Sequence, residues 1–288
     1  MILMFSNFKT KWNINVIESG KFKLDGGAMM GSVPKVLWNK TNPSDELNRI
    51  DLAMRCLLLD NGKDKVLIET GIGNKNSSKF VEMFCIEQSA FPLKDELKSF
   101  GYELEDITHV IMTHLHFDHA GGATYSIDNK ILPTFPNAKY IISKSNWEAA
   151  LNPNPKDRAS YLHENFVPLK EFDQLILVDD DEEFLEGISG LAFYGHTTGQ
   201  QLIKITVENE SLVFCSDLIP LKSHLKIPWI MGYDLNAMKT LEEKSTFLTE
   251  AAEKNWLLFF YHDPKTIAVK IKKSEKYFDI IEEYLVNE

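Results

Sequence analysis

The run His114-Leu115-His116-Phe117-Asp118-His119 constrains this chain more than any other feature. Three imidazoles and one carboxylate fall within six residues, and no packing requirement asks for that. They are the ligand types of zinc and other borderline metals. The whole chain of 288 residues has 8 histidines, so the cluster is not a product of composition. Just upstream, Ile107 to Met112 is an apolar, β-branched stretch that reads as a strand. Ligands at the end of a strand are held by a rigid element while their side chains fan into the loop that follows. Alternation along an extended segment points His114 and His116 to one side. The chain must then turn to present Asp118 and His119 to a neighbouring point, and Gly121-Gly122 is expected to supply the freedom for that turn. One pair can grip one ion and the other pair a second, and two ions about 3.5–4 Å apart can share a bridging hydroxide. Such a centre needs further ligands downstream, also at strand ends.

Three residues meet that need. His196 follows the apolar stretch Leu191 to Tyr194, Asp217 follows Leu212 to Cys215, and His262 follows Trp256 to Tyr261. Taken singly, a His or Asp at a strand end is ordinarily a cap or a surface residue. Three of them in the same position relative to a strand, together with the run at 114–119, read as one ligand set.

The rest of the chain sets bounds. A formal net charge of -11 argues against nucleic acid or an anionic membrane as the main partner. Three widely spaced cysteines, Cys56, Cys85 and Cys215, fit a reducing compartment, and no apolar stretch approaches membrane-spanning length. A cytoplasmic protein is expected. Residues 25–50, rich in Gly and Pro, read as an extended arm that could embrace a second subunit in a homodimer. Strands are expected at Met54 to Leu59 and Val66 to Ile68, joined through Asn61-Gly62, and at Tyr140 to Ile142, Leu175 to Val178 and Leu202 to Val207. Helices are expected at Leu93 to Phe100, Leu241 to Glu253 and Ser274 to Leu285, and a helical insert at about 145–172. Strands dominate both halves and no linker divides them, so residues 1–288 read as one α/β domain of stacked sheets flanked by helices.

These motifs resemble the metallo-β-lactamase superfamily over about residues 50–265, with the run at 114–119 as its H-x-H-x-D-H signature. The resemblance implies an αββα sandwich, two mixed sheets flanked by helices, with a dinuclear metal site between the sheets. It implies His114, His116 and His196 on the first metal, Asp118, His119 and His262 on the second, and Asp217 bridging. True β-lactamases carry a cysteine where Asp217 stands, so the carboxylate resembles the lactonase, glyoxalase-II and phosphotriesterase branches. Asp25 to Lys35, Ser216 to Pro220, Pro228 to Asp234 and Phe259 to Pro264 are similar to the group of quorum-quenching lactonases and methyl-parathion-hydrolase-like enzymes. Two departures stand out: Glu69-Thr70-Gly71 replaces the usual Asp-Thr-Gly, and Pro220 stands where the best-known acyl-homoserine lactonases carry a tyrosine. Glu69 is expected either to orient a ligand histidine or to be a buried structural acid.

The implied enzyme is a hydrolase using two divalent ions, Zn²⁺ first among Zn, Mn, Fe and Co, with Asp118 and Asp217 holding or relaying the proton of the attacking water. A small ester-like substrate, a lactone first, is expected against an apolar wall of Met29, Met30, Phe117, Leu218, Ile219 and Trp229. Tyr233 or His224 would replace the missing phenol. The runner-up is a phosphotriesterase or arylesterase of the same fold. A mononuclear iron oxygenase or a non-enzymatic metal-binding protein would need only part of this ligand set.

Overall fold

The computed structural model describes residues 11–207, 210–275 and 277–286. Its first half runs β1 (Asn13–Asp25), α1 (Gly26–Met30), α2 (Lys35–Trp38), β2 (Arg49–Asp60), β3 (Lys65–Ile68), α3 (Ser78–Phe84), α4 (Pro92–Ser99), β4 (His109–Ile111), α5 (Phe117–Ala120), β5 (Thr124–Ile127), β6 (Lys130–Pro133) and β7 (Lys139–Ser143). The second half runs α6 (Lys144–Leu151), α7 (Val167–Glu171), β8 (Leu175–Val178), β9 (Glu183–Leu185), β10 (Ile188–Phe193), β11 (Gln200–Val207), β12 (Glu210–Phe214), α8 (Ala237–Glu253), β13 (Leu257–Phe259), β14 (Thr266–Lys273) and β15 (Phe278–Leu285). One sheet has the order β1-β2-β3-β4-β7-β8 and the other β15-β14-β13-β12-β11-β10-β9. Both are mixed: β3, β4, β7 and β8 run parallel, as do β12 and β13.

Strand alternation explains why the sheets stack with helices outside. In β12 and the residue after it, Leu212 and Phe214 enter the main core while Val213 and Cys215 enter a second cluster with α8. In β13 and beyond, Leu257, Phe259 and Tyr261 face the main core while Leu258 and Phe260 face α8. Both faces of these strands are apolar because both are covered. Helix α8 supplies the cover through Thr240, Lys244, Phe247, Leu248 and Ala251, a single face at 3.6-residue spacing, and Asn236 caps its start by accepting from the amide of Lys239.

Two expectations are corrected. Ser274 to Leu285 is not a helix: Phe278–Leu285 is a strand paired antiparallel with β14. Its apolar residues fit a helical period, but β14 would otherwise end the sheet with unpaired backbone groups, and pairing satisfies them. The arm at 25–50 is not extended throughout. It folds into α1 and α2, and Met29, Met30 and Trp38 are buried against their own chain. The stretch at 145–172 contains all but the first residue of α6, two short 3-10 turns and the whole of α7. β4, β10, β12 and β13 all end at the same rim, and that rim carries the histidines.

Candidate metal centre

Two residues separate the end of β4 from His114, and short turns likewise carry His196 after β10, Asp217 after β12 and His262 after β13. All seven ligand candidates are buried. His114 Nε2 lies 3.1 Å and His196 Nε2 3.2 Å from His116 Nδ1. Tetrahedral zinc with Zn–N bonds of about 2.0–2.1 Å separates its nitrogens by about 3.3 Å. Asp217 Oδ2 lies 3.2 Å from His196 Nε2 and 3.9 Å from His114 Nε2. Its other oxygen, Oδ1, lies 3.4 Å from His119 Nε2 and 3.3 Å from His262 Nε2, which are 3.3 Å apart. Asp118 Oδ2 closes that second group at 3.6 Å from His262 and 3.8 Å from His119. His114, His116, His196 and Asp217 thus form one donor set and Asp118, His119 and His262 another. Buried imidazole nitrogens this close must share a proton or hold a cation between them, and Asp217 Oδ1 is buried without a hydrogen-bond partner. The residues fit metal ions.

The electrostatics carry the same message. Burial pushes the imidazoles of His114 and His116 well below the usual histidine range, and their histidine neighbours push further. Burial works the same way on His119 and His196, but the carboxylates together outweigh it, Asp217 with Asp118 and Glu69 at His119 and Asp217 with Asp234 at His196, so both rise. Burial opposes the charge on Asp217, yet His119, His262 and His196 hold its carboxyl well below the usual range. Without an ion, protons on His119 and His196 do a cation's work.

The outer layer orients the ligands. Asp234 Oδ1 lies 3.0 Å from His196 Nδ1 and its Oδ2 accepts the amide of Met231. Glu69 accepts the amide of Thr113 through Oε1, and its Oε2 faces His119 Nδ1 at 3.3 Å. This places Glu69 beside a ligand histidine. The His262 imidazole meets the carbonyl of Ala53 through Nδ1. Asn146, wholly buried on α6, accepts from the amide of Leu115 and donates to the carbonyl of Thr198, joining the two ligand loops. The Tyr161 ring packs on His116 at 4.8 Å while its hydroxyl meets Thr197. Thr113 and Ser216 join hydroxyls at 2.7 Å between the loops of His114 and Asp217. Sequence reasoning missed Asp234, Asn146 and Tyr161 as ligand supports, because a lone polar residue in a loop carries no periodic signal.

Gly121 and Gly122 matter for a different reason than the one expected. Gly121 has ordinary helical backbone angles. A Cβ there would meet the carbonyl of Ile72 at 2.1 Å, and at Gly122 that of Thr70 at 2.1 Å. The need is for close approach of two backbones, not for a forbidden dihedral.

The expected substrate wall divides. Leu218 and Ile219 pack in the cluster beneath α8, so they serve the core. Phe117 packs edge-on against Phe80 and at a tilt against Phe84 of α3. Met29 and Met30 are buried in α1, and the His224 imidazole, also buried, meets the carbonyl of Met29 at 3.0 Å through Nε2. Trp229 lies beneath the Lys226 ammonium at 4.0 Å. Tyr233 stays 38% exposed, and burial, then Asp25 and Asp118, push its hydroxyl up to about 12. Arg55 is a structural cation, paired with Glu18.

Stacked mixed sheets, helices outside and a His/Asp centre on the shared rim define a class of metallohydrolase. The chain belongs to the Metallo-beta-lactamase superfamily, whose profile matches residues 53–262. An N-acyl homoserine lactonase of Bacillus cereus is 28% identical over 232 residues, covering 75% of this chain and 83% of its own. The N-acyl homoserine lactonase AttM of Rhizobium radiobacter is 24% identical over 189 residues, covering 64% and 68%. Among solved structures, a probable metal-dependent hydrolase from Staphylococcus aureus superposes with a TM-score of 0.88 at 29% identity, covering 97% of this chain and 98% of that one. The dizinc quorum-quenching lactonase AidC, with a product bound, has the same fold at TM-score 0.79 and 21% identity, with 96% of each chain covered.

Proposed function

We propose that this hydrolase holds two divalent ions, Zn²⁺ first among the candidates, and opens a lactone of the acyl-homoserine type. The observation that carries the reading is Asp217, whose two oxygens divide between two histidine groups, Oδ2 toward His196 and His114 and Oδ1 toward His119 and His262. A carboxylate so placed suits a bridge between two ions. When bound, such ions supply hydroxide at neutral pH and polarise the carbonyl under attack. Asp118 and Asp217 orient the attacking water and take its proton. Tyr233, held protonated chiefly by burial, donates its phenolic proton to the ring oxygen of the substrate, the role left open by Pro220. Met29 and Met30 stiffen α1 beside the site. The relatives named as N-acyl homoserine lactonases support this substrate class. The unpaired state of Cys56, Cys85 and Cys215 supports a reducing, cytoplasmic setting.

Pro220 favours a second reading, a phosphotriesterase or arylesterase with the same ion pair. Elemental analysis of the purified protein, then a panel of acyl-homoserine lactones, aryl esters and phosphotriesters, separates them. Two ions per chain and the highest kcat/KM on a lactone are expected. One ion at full occupancy overturns the dinuclear reading, and phosphotriester or aryl ester turnover without lactone turnover installs the second.

A further inference from the structure

A cleft of about 1110 Å³ is lined by none of the seven ligand candidates. Its walls come from segments distant in sequence: Leu37 and Ile50 from the arm, Leu225, Ile227 and Trp229 from the segment before α8, and Phe278 from the start of β15. Its volume is at the upper end of clefts that hold small molecules. An apolar cleft of this size left open to water is uncommon in a chain that needs it only for packing.

The charges around it are lopsided. Lys40, Lys222, Lys226 and Lys265 line the cleft with Asp51, Asp263 and Asp279. Lys222 is paired with Glu283, and Asp51 with Lys23. Asp263 spends both oxygens on the backbone amides of Lys222, Lys265 and Thr266. Three ammonium groups, on Lys40, Lys226 and Lys265, then remain without a carboxylate partner among the described residues, against two carboxylates without a cationic partner, Asp263 and Asp279. In a chain of net charge -11 this is a local reversal of sign. Apolar walls beside unpaired ammonium groups suit a molecule with a hydrocarbon body and one anionic end.

We propose that this cleft is a second binding site, separate from the metal centre, for an amphipathic carboxylate: an alkyl chain against Ile50, Leu225 and Ile227, its carboxylate toward Lys40 and Lys265. The proposal does not rest on the reading of the metal centre.

The test is calorimetric titration of the metal-loaded full chain with straight-chain fatty carboxylates from six to twelve carbons, below their micelle concentrations. One saturable site is expected, with affinity rising about fourfold for each added methylene. The double variant K40E/K265E should weaken dodecanoate at least tenfold and leave metal content and hydrolytic activity unchanged. K40Q/K265Q serves if charge reversal impairs folding, with a smaller loss expected. Dodecyltrimethylammonium, of like chain and opposite charge, should bind the wild type at least tenfold more weakly than the carboxylate. Four outcomes overturn the proposal. They are no saturable binding, equal binding of the two head groups, an unchanged affinity in both lysine variants, which places the carboxylate on the metal centre, and a wild-type dimer that I280D splits, which makes a second copy the occupant.

Discussion

At Asp217 the two oxygens answer to different histidines, and each of those histidines answers to a residue behind it. Asp234 stands behind His196 and Glu69 behind His119. Such partners fix the ring's tautomer and angle, and losing one typically costs 10–100-fold in metal affinity. Asp234→Ala should therefore weaken metal binding about 10–100-fold by competition with a chelator, at near-wild-type thermal stability once metal is saturating. An unchanged affinity would show that Asp234 only shapes its own loop. At Tyr233 the expected outcome is kinetic: Tyr233→Phe should lower kcat on lactones about tenfold or more, in the range of a positioned acid, with two ions still bound. An unchanged kcat removes Tyr233 from the reaction. Both residues sit in Gly232-Tyr233-Asp234, within a segment that carries a family resemblance but no periodicity to assign them a role.

At the scale of elements, the segment 226–234 works as a strap. Lys244, buried on α8, donates to the carbonyls of Lys226 and Trp229. The amide of Gly232 donates to Ala28 of α1 at 2.8 Å, and Asp234 holds the far end. Burial pushes the Lys244 ammonium down to about 7, with Asp234 pulling the other way. Unfolded, a lysine titrates near about 10.4. Between those values the unfolded chain holds a proton that the folded one has released, so stability from this site rises with pH across that window and falls as pH drops toward 7. Chemical unfolding of wild type and Lys244→Met from pH 6 to 10 should show the difference moving in favour of wild type as pH rises. A difference that stays flat would mean that Lys244 keeps its proton throughout. A lysine at a buried helix position is invisible as such in the sequence, where the helical period of α8 reads well but predicts an apolar residue there.

Across the whole molecule, one cation ties the two sheets. Arg55 leaves β2, pairs with Glu18 at 2.6 Å, and donates to the carbonyls of Phe260 and Asp263 beyond β13. The amides of Ala53 and Arg55 also reach the carbonyls of His262 and Tyr261. Arg55→Met should cost about 2–4 kcal/mol in chemical unfolding, since it leaves buried carbonyls unpaired, and should lower metal affinity because His262 hangs from the same junction. Loss of stability without any change in metal binding would separate the junction from the site. Metal removal acts on the same scale. Chelation should lower the melting temperature and make it fall further as pH rises above neutrality, where protons no longer replace the ions on His119 and His196.

The sequence by itself determined the candidate donor residues and the order of most strands. Ligand chemistry restricts the residue types to a few, and strand periodicity survives in any window of chain. Asp217 and His262 were legible because each follows a strand that is apolar on both faces. Three things waited for the tertiary structure: the supports at Asp234, Asn146 and Tyr161, the pairing of β15 instead of a last helix, and the transfer of Ile219 from the expected wall to the core. Each depends on contacts between residues far apart in the chain. Local propensity in β15 is overruled by an open sheet edge, and the partner of a lone Asp or Asn exists only once two loops have met.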